Sequence, residues 1–118
     1  MTPILTLLLL INLSRINLDS LQPVKLDPIL SFMAIERAKQ VENFSSKDFQ
    51  KHKGWDYTKN YPCTFILENL ARNFSSITKT HIALMNSPSH REAILSPAPE
   101  SIGIGIYKSI VVEWFCIK

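Results

Sequence analysis

The stretch that decides the fold is "SIGIGIYKSIVVEWFCIK", residues 101–118. Ile102, Ile104 and Ile106 alternate with Gly103 and Gly105, the period of two that puts one set on each face of a strand. The glycine face is bare, which suits the close approach of another backbone. "IVVEWFCIK" (110–118) is apolar at nearly every position, as expected of a central strand covered on both faces. Lys108 and Ser109 fall between the two runs, so a hairpin is expected.

A sheet covered on both faces needs helices, and the sequence before it supplies them. Residues 3–17 read as a helix ending near Arg15, and "DSLQPVKL" (19–26) as a connection broken by Pro23. Asp27 and Pro28 form an N-cap and first-turn pair. Beyond them Ile29, Leu30, Met33, Ala34, Arg37, Ala38 and Val41 follow a three-four spacing, predicting an amphipathic helix to about Phe44. Residues 45–62 have no clean period and read as a long loop with a short helical turn. "CTFILENL" (63–70) predicts a short buried strand running into a helix or turn. A helix is expected over 77–85, and a second at 88–95 with Ser87 as N-cap and Pro88 in the first turn. "SPAPES" (96–101) is a loop fixed by two prolines. The expected fold class is α+β, a three-layer α/β/α sandwich with a small antiparallel sheet covered by helices.

The chain has 118 residues, enough for one domain with one core. Hydrophobic residues at 46% and charged residues at 19% make it globular rather than disordered. A net charge of +3, from scattered basic residues, gives no case for nucleic acid. "ILTLLLLINL" (4–13) is too short for a membrane span, which needs about 20 residues. It resembles a leader's apolar core but has no basic residue before it and no clear cleavage site after it. The preferred reading is a single domain over 1–118, with residues 1–10 either a leader remnant or the start of the first helix. Cys63 and Cys116 match no zinc or redox spacing, leaving open one long-range disulfide or two buried thiols. Asn12, Asn43 and Asn73 open Asn-x-Ser sequons, which matter only where the source glycosylates proteins.

Several pieces, taken in order, resemble the CAP superfamily of cysteine-rich secretory proteins, antigen 5 and plant pathogenesis-related 1 proteins. The short bacterial SCP-like branch is the nearer match. "INLSR" (11–15) is similar to the family's Asn-x-x-Arg first-helix pattern. "LQPVKLDPILSFMAIERAKQ" (21–40) is similar to its second segment, with Ala34 and Ala38 in the small-residue places. "FQKH" (49–52) resembles Phe-x-His with one residue inserted, and "ENL" (68–70) resembles Glu-Asn-Ile. "LMNSPSHREAIL" (84–95), then "SIGIGIY" and "VVEWF", resemble the closing motifs. A second family glutamate and a Gly-His-x-x-Gln segment have no convincing counterpart. Glu113 lies where the final strand often has Gln.

The resemblance implies a secreted or cell-surface domain with a cleft lined by His52, Glu68 and His90. Those side chains are the nitrogen and oxygen donors that zinc or another divalent metal takes. Each also has a plainer role: His52 as an exposed loop histidine, Glu68 as a helix cap or a helix residue paired with Arg72 four positions on, and His90 as a first-turn residue that the helix dipole keeps neutral. His81 matches no motif position and is expected at the surface. Trp55, Tyr57 and Tyr61 are expected near the cleft.

Three functions follow in order. The first is a monomeric binding module for a small-molecule, lipid-like or cell-surface ligand. The second is a metal-assisted hydrolase of peptide or cell-wall material. The third is a structural domain with a relict cleft. No Ser/His/Asp arrangement, phosphate loop or dinucleotide motif is visible, so no catalytic residue is assigned.

Overall fold

The computed structural model describes residues 1–55 and 63–118. Tyr57 and Tyr61 lie outside the described residues. The chain runs α1 (Pro3–Asp19), β1 (Lys25–Leu26), α2 (Pro28–Val41), α3 (Ser46–Gln50), β2 (Phe65–Arg72), α4 (Ile77–Met85), α5 (Pro88–Ile94), β3 (Ser101–Tyr107) and β4 (Ile110–Ile117). The sheet order is β1-β3-β4-β2, with β1 parallel to β3 and the other pairs antiparallel. The expected three-layer arrangement is present, with one addition: part of the 19–26 connection becomes the two-residue strand β1. No described helix is long and apolar enough to cross a membrane.

Side-chain alternation divides the core into two halves. Ile102, Ile104, Val111 and Phe115 face α1, α4 and α5 and join Leu7, Ile11, Leu84 and Ile94. Val112, Trp114 and Cys116 face α2 and join Leu30, Ala34, Ala38 and Val41. Ile29 leads the expected stripe on α2 but points to solvent, 72% exposed. The alternation in β3 decides how closely α2 can approach. A Cβ at Gly103 would lie 2.7–2.8 Å from Leu30, and one at Gly105 would run into the backbone of Ala34 and Ile35. Ala34 and Ala38 are fully buried on the facing side. Small residues on both elements let the helix sit on the strand.

Two polar residues of α1 tie down the connections. Asn12 donates its amide to the Val24 carbonyl and accepts the Val24 N–H. Arg15 is 1% exposed and donates to the carbonyls of Gln22, Ile94 and Ser96. The "INLSR" segment thus closes both the α1–β1 connection and the end of α5. Burial of the guanidinium lowers the Arg15 pKa.

Cys63 and Cys116 form a disulfide with Cα atoms 5.4 Å apart, resolving the alternative that the sequence leaves open. Ile66 is the residue opposite Cys116 in the ladder, so the bridge depends on the chain leaving that register before β2, where the Thr64 N–H donates to the Ile117 carbonyl. A closed loop of this size restricts the unfolded chain by about 4 kcal/mol in the chain-entropy treatment.

Gly105→Ala should be the most damaging single-methyl substitution in the sheet. The new Cβ meets backbone that cannot rotate away, so a loss of about 3 kcal/mol or more is expected. Chemical denaturation checks this, with Ala98→Gly at an exposed position of the connection before β3 as a control expected to stay within about 1 kcal/mol. Equal midpoints for the two variants would show that α2 does not lie on β3 this closely.

Candidate functional site

Glu68 lies midway along β2, its side chain on the α2 face and 3% exposed. It is on a strand, so the helical pairing with Arg72 does not form. Arg72 instead donates to the Phe44 carbonyl and sits 4.3 Å from the Phe49 ring centroid. Among the described residues four donors converge on the two Glu68 oxygens. Oε1 accepts from Arg37 Nη2 at 3.0 Å and from His52 Nδ1 at 2.7 Å. Oε2 accepts from Arg37 Nε at 3.0 Å and from Trp114 Nε1 at 2.6 Å. Trp114 is available because it is the cross-strand neighbour of Glu68.

Arg37 is the part of this constellation that motif matching missed. It is fully buried, and its remaining nitrogen, Nη1, donates to the Lys53 carbonyl and to Gln40 Oε1. Gln40 donates onward to the Gly54 carbonyl. The segment after α3 is therefore fastened to α2 by two side chains. This fastening sets His52, whose φ of 53° is left-handed, an uncommon state for a residue with a Cβ. The signal was present in the sequence. A cation in an apolar stripe, between Ala34 and Ala38, requires a buried carboxylate.

His90 does not reach Glu68. Ser87 Oγ makes no bond to a first-turn backbone N–H, contrary to the expected cap. It pairs instead with His90 Nδ1 at 2.8 Å. Burial, with the neighbouring His52 second, lowers the His90 pKa. The imidazole is therefore neutral at pH 7, as expected, though burial replaces the helix dipole as the reason. Two hollows meet here. One of about 610 Å³ is bounded by Glu68, Asn69, Glu92 and Ala93. The other, of about 590 Å³, is bounded by Phe49, Arg72, Phe74 and His90. His52 and Ser89 line both. The structure thus joins His52 to Glu68 directly and sets His90 across from His52.

This arrangement does not fit the proposed metal set of His52, Glu68 and His90. A carboxylate has about four lone-pair sites, and those of Glu68 already face Arg37, His52 and Trp114. Among the described residues no three His, Cys, Asp or Glu side chains are grouped to hold a metal. The site offers a different chemistry: an imidazole oriented through Nδ1 by a carboxylate, with Nε2 free of hydrogen bonds among the described residues.

Two buried groups lie apart from this site. His81 is buried, not at the surface; its Nε2 pairs with Ser14 Oγ at 2.9 Å, and burial lowers its pKa. It faces inward because α4 packs along α1. Glu113 projects to the opposite sheet face from Glu68 and does not reach the cleft. Burial pushes its carboxyl up to about 7, against one hydrogen bond from Asn69. Asn69 also donates to the His90 carbonyl, connecting α5 to the sheet.

A four-stranded sheet between α2 and the α1, α4 and α5 layer defines a class of domain, and the comparisons name its family. The model of the CAP, cysteine-rich secretory protein, family matches residues 10–116. The chain belongs to the CAP family. No curated protein matches it significantly. Three solved structures share the fold. An extracellular protein with an SCP domain from Bacillus anthracis is 18% identical, with a TM-score of 0.74 over 97% of this chain and 40% of that one. A cysteine-rich secretory protein from Staphylococcus aureus is 17% identical, with a TM-score of 0.76 over 98% and 38%. An outer surface protein from Borrelia burgdorferi is 20% identical, with a TM-score of 0.77 over 98% and 92%. The chain therefore spans about two fifths of the first two proteins and nearly all of the third.

Glu68→Gln should cost about 3–5 kcal/mol in unfolding free energy, because it takes away the carboxylate charge that two nitrogens of the buried Arg37 bond. An unchanged midpoint in urea would remove the pair from the account of the fold. Glu113 gives a pH signature. Its folded pKa lies above the ordinary 4.5, so stability is full below about 4.5 and falls as pH rises to about 7. The slope approaches 1.4 kcal/mol per pH unit and the total about 3 kcal/mol at most. Glu113→Gln should abolish that fall. The difference between the two pH–stability curves separates Glu113 from His81 and His90, whose lowered pKa values give the opposite slope. Parallel curves would show that Glu113 is not desolvated.

Proposed function

We propose that this is a secreted or cell-surface binding domain whose cleft takes a small or amphipathic ligand without a metal. The observation that carries the reading is the placement of His52. Glu68 fixes its ring through Nδ1, and the residue borders both hollows. A ligand's polar group would meet His52, Ser89 and His90. Its apolar part would lie against Ala93 in one hollow or Phe49 and Phe74 in the other. This is the mixture of apolar wall and few fixed polar groups that ligand sites use. A disulfide suits an oxidising compartment, and the Bacillus and Borrelia structures are described as extracellular and outer-surface proteins. A metal-assisted hydrolase finds no support in a carboxylate already engaged by three side chains.

Hexanoate and N-acetylleucinamide serve as probes, each titrated into the isotopically labelled chain. The His52 ring and the Ser89 amide should shift saturably, and His52→Ala should weaken the response at least fivefold. Zinc titrated calorimetrically should produce no stoichiometric heat. Probe-induced shifts confined to residues outside the cleft would overturn the binding reading. Stoichiometric zinc uptake lost in His90→Ala would overturn the metal-free part of it.

A further inference from the structure

The two edges of the sheet are treated differently. On the β3 side the edge is closed. β1 is two residues long and lies between Pro23 and Pro28. The Asp27 N–H donates to the Ile102 carbonyl, and Ser31 Oγ accepts the Ile104 N–H where β1 has ended. These are ordinary protections against strand pairing. β2 has none of them over most of its length. It is eight residues long and carries no proline or lysine, and among the described residues it is the outermost strand.

The antiparallel ladder decides which backbone groups face outward. Residues directly opposite each other alternate between bonded and non-bonded pairs. The two-residue turn between Tyr107 and Ile110, and the Asn73 N–H to Ser109 carbonyl bond, set the phase. Odd-numbered residues of β2 bond to β4. Even-numbered residues, Ile66, Leu70 and Arg72 among them, turn their N–H and C=O away from the sheet. These three have no backbone partner among the described residues. The hollows follow this same edge. One borders residues 64–69 and the other residues 70–74. A row of amides and carbonyls at alternate positions is complementary to another extended backbone. Phe65 and Phe74, 60% and 41% exposed, offer apolar surface at the two ends. Arg72 has no carboxylate partner among the described residues, so it supplies a cation at one end.

We propose that the ligand of this cleft is an extended peptide that adds as a strand to the outer edge of β2, with an acidic residue at the Arg72 end. The inference rests on the binding reading above and names the ligand class for the same site. His52 and Ser89 stand beside the middle of the added strand, where the two hollows meet.

The test uses a fluorescent octapeptide of alternating valine and threonine ending in aspartate. Two derivatives are N-methylated at either alternate set of amides. The parent peptide should bind. One methylated set should bind at least tenfold more weakly, and the other within twofold of the parent. On saturation the Ile66, Leu70 and Arg72 amides should exchange at least tenfold more slowly. Replacing the terminal aspartate with lysine should weaken binding. Equal binding of both methylated peptides would overturn strand addition. So would a free chain that sediments as a dimer with those three amides already protected, since a second copy then occupies the edge. If no octapeptide binds while hexanoate or N-acetylleucinamide still shifts His52 and Ser89, the peptide proposal falls and the binding reading stands. If no probe acts at the cleft, both fall.

Discussion

The interaction on which the rest depends is the buried Arg37–Glu68 pair. Arg37 comes from α2 and Glu68 from β2, so the pair locks a helix to the outer strand of the sheet. Two desolvated ions are costly alone, and their attraction offsets that cost only when the remaining hydrogen-bonding capacity is filled. Here it is filled. Arg37 donates to Lys53 and Gln40 as well, and Glu68 accepts from His52 and Trp114. Removing Glu68 would take away the carboxylate that orients His52, and removing Arg37 would take away its bond to the Lys53 carbonyl.

That arrangement commits both oxygens of Glu68 to partners inside the protein. A metal-ligating carboxylate must turn a free lone pair to the open site. Glu68 turns its oxygens into the protein, towards a guanidinium and an indole. Its effect on the cleft passes through His52, whose ring it holds at one nitrogen and which lines both hollows. His90 is held separately, by Ser87 through its side chain and by Asn69 through its carbonyl. The cleft therefore has two independently anchored imidazoles.

The two faces of the sheet carry different polar chemistry. On the α2 side Glu68 is fully compensated. On the other side Glu113 has a single hydrogen bond, one oxygen without a partner among the described residues, and a raised pKa. Asn69 lies between Glu113 and the His90 carbonyl. It therefore ties the buried carboxyl to the helix that carries the cleft histidine.

The sequence by itself determined the layers. The period-two pattern of 102–107, the apolar run at 110–117 and the three-four stripe of α2 are local signals of burial, and the structure follows them. Glycine at 103 and 105 announced a close backbone approach because no other residue permits it. The motif order gave the family, and it gave His52, Glu68 and His90 as cleft candidates. The tertiary structure decided their partners. Arg37 lies 31 positions from Glu68 and Trp114 lies 46, so no local pattern could pair them. The burial of His81 is not legible in the sequence, because a histidine on a short helix gives no sign of which side a neighbouring helix will cover. The β2 edge was legible only as an apolar run, since which strand lies outermost depends on pairing along the whole chain. Periodicity reports whether a face is buried; it does not report against what.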